Sequence, residues 1–359
     1  MADGPVDWAL AERVAVKVAG SDEWSRSYHG HSVASDVAEL VSTAEELVAA
    51  ETGLRSALGP ARAQVVDRAG WIHANIDAFQ RILGPHLERW SAGMGGNVVT
   101  RSATRVAAGA EMGTLLGWMS KRVLGQYDLL VADPQGSAAG DTVFVVGPNL
   151  LGLEKRFGFP PREFRLWLCL HEVTHRAQFT GVPWMREHYL GLVGESLTLA
   201  DPSPGRLTES LRDGLRNVRQ DGVRALDDGG LAAVLASPAQ RQVLARIGGL
   251  MALLEGHGDV TMDRAGRGQV PSAERFSRVL RERRRRQMPL VQLAQKLLGI
   301  EAKLNQYAQG EAFLAAVEAE LGRHGVDRCW ESADHLPTLA EIRRPEAWLA
   351  RVGGPRVVV

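Results

Sequence analysis

Residues 164–179, FRLWLCLHEVTHRAQF, contain His171-Glu172-Val173-Thr174-His175. On an α-helix, residues four apart differ by about 40° in azimuth and sit one turn apart, so both imidazoles leave the same face. That spacing suits one tetrahedral Zn²⁺. Glu172 lies beside them, near enough to reach a metal-bound water without ligating the ion. In that arrangement the zinc acidifies the water and the carboxylate takes its proton. The competing reading is two ordinary histidines on an amphipathic helix. The apolar segment leading into the motif (Phe164, Leu166, Trp167, Leu168, Cys169, Leu170) predicts burial. Two imidazoles and a carboxylate buried without partners are costly, which favours the metal.

A catalytic zinc takes three protein ligands and keeps one open position. A metzincin continuation would need Gly at 178 and His at 181, whereas the chain has Gln178 and Gly181. The third-ligand candidates are His188, Glu195 and Glu255. Glu255, in MALLEGHGDVTMD (251–263), follows apolar and small residues on an expected helix. Asp259, four residues on, shares its face and can accept from the free N–H of a ligating imidazole. This E-x-x-x-D spacing is the glutamate-zincin arrangement; Glu195 has Leu199 at that offset, so Glu255 is preferred. His257 lies about 200° from Glu255 on an ideal helix and is a poor co-ligand. Amide hydrolysis also needs a donor for the tetrahedral oxyanion. Tyr307 and His188 are candidates, against an ordinary packing role for either.

With these residues identified, the chain resembles the actinobacterial zincin-like metallopeptidase family. These are hydrolases of unassigned substrate, some labelled as associated with biosynthesis of the deazaflavin coenzyme. The resemblance runs through VDW near the N-terminus, GWIHAN (70–75), VGPNL (146–150) and FRLWLCLHEVTHRAQFTGVPWM (164–185). It continues in LLEGHGDVTMD (253–263), LLGIEAKLNQYAQGEAF (297–313) and LPTLAEI (336–342). It implies a zincin-like fold, zinc on His171, His175 and Glu255, and a peptidase-like hydrolase. It brings no substrate. The family pattern has Ala where Gly258 stands, a departure expected to loosen the ligand helix.

The elements that must position these residues read as mostly helix. Asp7 is an N-cap candidate ahead of WALAERVAVKVAG, and 33–52 repeats the apolar spacing before Gly53 stops it. Further helices are expected at 65–84, closed by Gly84-Pro85, and at 102–124. Two short strands follow, Tyr127–Val131 and Thr142–Val146, joined by the turn-rich 132–141. The second strand is either an edge that holds extended substrate main chain to main chain or part of a structural hairpin. Helices are then expected at 161–179, through about 199, and at 206–219, 230–247, 249–264, 272–284 and 290–321. The fold class is therefore mainly α (α+β), a zincin-like fold with a small β element beside the motif helix. The expected organisation is one integrated domain over 1–359. It comprises an N-terminal helical subdomain (1–120), a metal-binding core (121–333) and an irregular tail (334–359) with one short helix near 338–350.

Composition sets the outer limits. Lys+Arg and Asp+Glu both number 42, giving zero net charge over 359 residues. That balance speaks against nucleic acid or an anionic membrane as partner, since both favour a positive excess. The one dense basic run, RERRRR at 281–286, has no interleaved aromatics and reads as a solvated helix face. Two cysteines, Cys169 and Cys329, cannot build a disulfide framework, and Cys169 is expected in the core. The N-terminal residues lack a signal-peptide pattern, and no stretch reaches transmembrane length. A cytoplasmic protein is expected. Three functions fit: a zinc hydrolase acting on peptides, a zinc amidohydrolase or cofactor-biosynthesis accessory enzyme acting on a small amide, and a non-catalytic zinc-binding interaction protein. Glu172 argues against the last, because a purely structural site has no use for it. The sequence leaves the oligomeric state open.

Overall fold

The computed structural model describes residues 4–21, 28–93, 98–129, 141–199, 237–285 and 300–353, with backbone alone at 28–29, 90–93, 98–100, 283–285 and 300–308. The helices expected at 206–219 and in parts of 230–247 and 290–321 fall outside these residues. Helix dominates, with a three-stranded sheet, and the mainly α (α+β) expectation holds. No helix among the described residues is long and apolar enough to cross a membrane. Contacts divide the chain into two compact units, Met1–Gly181 with Met262–Ser277, and Val182–Thr261 with Arg278–Val359.

The first unit holds α1 (Trp8–Ala19), α2 (Tyr28–Thr52), β1 (Arg62–Val66), α3 (Arg68–Gly93), α4 (Val98–Ser120), β2 (Gly125–Tyr127), β3 (Thr142–Val146), α5 (Gly147–Phe157) and α6 (Pro161–Thr180). Asp7 caps α1, its Oδ1 accepting from Leu10 N–H at 2.9 Å, and α2 ends before Gly53 at φ +70°. Sheet order is β1-β3-β2, with β1 parallel and β2 antiparallel to β3. Strand β1 departs from the helix expected to start at 65. Val65-Val66 end the strand, and the helix begins after Asp67, whose Oδ1 accepts from Gly70 N–H at 2.7 Å. That helix also runs through the expected stop at Pro85, because a proline removes one main-chain bond and bends a helix without having to end it.

Because side chains alternate along a strand, the sheet presents two distinct faces. Val66, Phe144 and Val146 join Trp71, Ile72 and Ile76 of α3, Ala11, Ala15 and Ala19 of α1 and Leu116 of α4 in one buried cluster. Fully burying an aliphatic side chain such as Ile72 contributes about 1.5–3 kcal/mol. Tyr127 belongs to the opposite alternation and stacks on Phe179 of α6 at 6.4 Å. Helix α6 thus lies against the sheet while α2 packs on α6.

The second unit holds α7 (Met185–Leu199), α8 (Pro238–Ala265, to Thr261), most of α9 (Ala273–Arg285), α10 (Ile300–Leu321), α11 (Leu339–Arg343) and α12 (Pro345–Val352). Helix α8 is continuous where two helices, 230–247 and 249–264, were expected. The reason is close approach. A Cβ on Gly249 would collide with the carbonyl oxygen of Pro337, and one on Gly256 would lie 2.5 Å from the backbone of Gly310 in α10. Gly249 and Gly256 are two turns apart, so both serve one face of an unbroken helix. Gly258 does not interrupt it either. The tail is more regular than expected. Thr338 and Glu341 form a capping box for α11, and the buried Trp348 of α12 donates to His335 O at 2.7 Å and stands edge-on to Phe313. Arg281 and Glu282 of the basic run are exposed on α9.

Candidate metal centre

Helix α6 starts with Pro161 in its first turn, where a missing N–H costs nothing. From Phe164 to Thr180 every residue is buried except His171 and His175, which are half-buried. The polar residues of this stretch must therefore find partners inside the protein. Arg165 makes a bidentate pair with Glu154 (2.8 and 2.9 Å) and also pairs with Asp36. Arg176, 1% exposed, donates to Asp141 (2.9 Å), Glu45 (2.6 Å) and the carbonyl of Gly59 (2.7 Å). Burial alone would lower the Arg176 pKa, but Asp141 and Glu45 raise it overall, so the guanidinium stays charged. These pairs tie α6 to α2, α5 and the start of β3.

The two half-buried histidines face each other. His175 Nε2 and His171 Nε2 are 3.2 Å apart, with the rings at 84°. Gln178 Oε1 lies 2.9 Å from His175 Nδ1. When Nδ1 carries the proton it donates to that oxygen, and Nε2 keeps its lone pair for a metal. Glu255, 4% exposed on α8, completes the group: one ligand atom from each of His171, His175 and Glu255 lies within 4.8 Å of the others. Two tetrahedral ligands with bonds near 2.0–2.1 Å lie roughly 3.3 Å apart, the spacing of the two imidazole nitrogens. Two imidazoles and a carboxylate form the donor set of a catalytic zinc with a fourth position open. The residues present fit the ion.

Glu172 follows His171 directly on α6 and is held from the sheet. Its Oε2 accepts from the backbone N–H of Tyr127 in β2 at 3.0 Å. A Cβ on Gly125 would lie 2.6 Å from Glu172 Oε1, so β2 approaches this carboxylate only because residue 125 has no side chain. The bond uses a specific feature of the ladder. Leu124 O and Asp128 N–H pair with Val146 and Thr142, so the backbone groups of residues 125 and 127 point away from β3. Tyr127 N–H is one of them. Thr142–Val146, expected as a possible substrate-holding edge, is instead the central strand with neighbours on both sides. The edge beside α6 is β2.

The other candidates are distributed differently. Glu195 is exposed and lies 3.8 Å from Arg246, outside the group of three. His188 sits on α7, edge-on to Trp184 at 5.9 Å. Burial, then the charge of Arg246, push its pKa down, against an upward pull from Asp334. Asp259 is half-buried one turn beyond Glu255 on α8. Tyr307 falls on α10, and its side chain lies outside the described residues. His257 is buried against Trp330, with ring centroids 5.1 Å apart. Cys169 is fully buried, and burial followed by the charge of Glu172 pushes its thiol up to about 12, so it is inert at neutral pH. Sequence reasoning missed Gln178, the Tyr127 N–H, Gly125 and the Arg176–Asp141 pair. Only Gly125 carried a signal, as an isolated glycine at a strand.

The chain is similar in sequence and fold to known proteins. Residues 6–349 match the family described as zincin-like metallopeptidase. A solved structure from Chloroflexus aurantiacus, provisionally described as a hydrolase with a novel fold, is 30% identical with a TM-score of 0.70. The alignment covers 98% of this chain and 99% of that one. No curated protein matches.

Proposed function

Because the chain belongs to the zincin-like metallopeptidase family, we propose that it is a zinc-dependent, peptidase-like hydrolase that cleaves an amide with Glu172 as general base. The observation that carries this reading is the facing pair of His171 and His175 nitrogens with Glu255 close by. His171, His175 and Glu255 would hold the ion, which supplies a Lewis acid that acidifies water and polarises a carbonyl. Gln178 Oε1, beside His175 Nδ1, would favour the tautomer protonated there, which presents Nε2 to the ion. Tyr127 N–H holds Glu172 Oε2, and the carboxylate so placed would accept a proton from the attacking water and return it to the departing amine. Asp259 keeps the outer role its spacing from Glu255 suggests. His188, whose pKa is lowered by partial burial and Arg246, and Tyr307 remain the candidate oxyanion donors. The free, buried cysteines suit a cytoplasmic enzyme, and no nucleic acid or membrane partner is part of the reading.

A specific observation favours a small amide as the alternative to an extended peptide. Edge strand β2 is three residues long. Of its outward groups, Tyr127 N–H is given to Glu172 and Tyr127 O accepts from Leu129 N–H at 3.0 Å. Among the described residues this leaves Gly125 alone to pair with a substrate backbone. An accessory hydrolase of deazaflavin coenzyme biosynthesis would fall under this second reading.

The test uses zinc-loaded protein, a quenched fluorescent peptide library and a set of N-acyl amino-acid amides. Glu172→Gln should retain stoichiometric zinc and lose about 10²–10⁴-fold in hydrolysis. Cleavage surviving in that variant would overturn the assignment of the base. Stoichiometric zinc in a wild-type protein that cleaves neither probe set would favour a non-catalytic zinc-binding interaction protein.

A further inference from the structure

We propose that Gln126 is a positioning residue for Glu172, held by Trp71 and Asn75 of α3. This rests on the reading of Glu172 as the base. Gln126 is the middle residue of β2, and its cross-strand partner is Phe144, which lies in the α3-facing cluster. Its side chain therefore leaves the sheet opposite to the alternation of Gly125 and Tyr127. There it enters a closed ring of hydrogen bonds. Trp71 Nε1–H donates to Gln126 Oε1 at 2.7 Å, Gln126 Nε2–H to Asn75 Oδ1 at 3.2 Å, and Asn75 Nδ2–H to the carbonyl of Trp71 at 2.8 Å. Trp71 is 1% and Asn75 6% exposed. A polar network in such a setting is stable only when its members are satisfied, so it specifies one position for Gln126.

The backbone of the residues flanking Gln126 meets Glu172. Tyr127 N–H donates to Oε2, and the empty side of Gly125 receives the carboxylate. A three-residue edge strand has few ladder bonds of its own to set its register, and a slip by one residue would reverse the faces of all its side chains. The α3 ring supplies the missing constraint. It locks β2 from one face so that its outward N–H holds the carboxylate on the other. This gives GWIHAN, through its Trp71 and Asn75, a role at the site.

The experiment measures amide hydrogen exchange by NMR in the zinc-loaded full chain, comparing wild type with Gln126→Leu and Trp71→Phe. Loss of the lock should speed exchange of the Tyr127 amide roughly tenfold or more. The Val146 and Asp128 amides, bonded within the β2–β3 ladder, should keep their rates, and zinc stoichiometry should not change. Trp71→Phe keeps an aromatic ring and removes the indole donor, so it probes the ring should Gln126→Leu disturb the strand as a whole. Unchanged Tyr127 exchange in Trp71→Phe overturns the proposal. So does equal acceleration across the whole ladder in both variants, which marks a packing role only. Failure of the base reading shows itself separately, as hydrolysis that survives in Glu172→Gln.

Discussion

His171 Nε2 and His175 Nε2 stand 3.2 Å apart on one helix, the separation of two ligands on a single tetrahedral ion. Glu255 brings a carboxylate oxygen within 4.8 Å of both. Replacing any of the three by Ala should therefore abolish stoichiometric zinc, as read by elemental analysis of the purified protein. Glu195→Ala, at an exposed position, should leave it intact. Zinc that persists undiminished in Glu255→Ala would sink the third-ligand assignment.

The bond between Gln178 and His175 acts on affinity without adding a ligand. Partners of this kind typically account for 10–100-fold in metal affinity, so Gln178→Leu should weaken zinc binding by about that factor. Competition with a chromophoric chelator measures it. Gln178→Glu, which keeps an acceptor at the same distance, should restore most of the loss.

Arg176 and Asp141 are 1% and 3% exposed and pair across α6 and β3. Removing one member leaves a buried charge behind, and such changes cost about 3–5 kcal/mol. Asp141→Ala should lose stability on that scale in urea unfolding. The double variant Asp141→Leu/Arg176→Met should lose clearly less than the sum of its singles, because neither buried charge is left behind and Glu45, half-buried, keeps the Ala61 N–H.

Glu341 gives a pH dependence with a definite sign. Burial alone would raise its pKa, but hydrogen bonds from Arg351 and Thr338 hold it below the usual 4.5. A carboxylate with a depressed folded-state pKa contributes stability above its unfolded value and loses it as pH falls through the folded one. Glu341→Gln should thus be less stable than wild type at pH 7, and the gap should close below about pH 4.5. Urea midpoints across pH 3–7 check this, and a gap that stays constant would count against the assignment.

Much of the helical architecture is legible in the amino-acid order itself. Periodic apolar spacing marks most of the described helices, and Asp7 and Gly53 mark two helix ends, because caps and periodicity are local properties. The strand Arg62–Val66 is not legible, since Val65-Val66 fits a helix or a strand and only the parallel pairing with β3 decides between them. Glycines also mislead. Gly248, between two expected helices, looks like a break, yet the helix runs on and Gly249 lets α8 pass against the Pro337 backbone, a contact nearly ninety residues distant in sequence.

The sequence by itself determined the donor types and their helical spacing: His171 and His175 on one face, Glu172 beside them, Glu255 as the preferred carboxylate. Side chains one turn apart are placed by the helix, whatever surrounds it. Tertiary structure alone decided which groups hold these residues: Gln178 on His175, Tyr127 N–H on Glu172, Asp141 on Arg176, and Trp71 with Asn75 on Gln126. Most of these partners come from elements far apart in the chain and leave no periodic trace. Even Gln178, three residues from His175, gives no sign in sequence of which nitrogen it holds. The physical reason is that the spacing of the two histidines follows from local helix geometry. The orientation of each ligand and of the base follows from satisfying polar groups in an interior that only the fold creates.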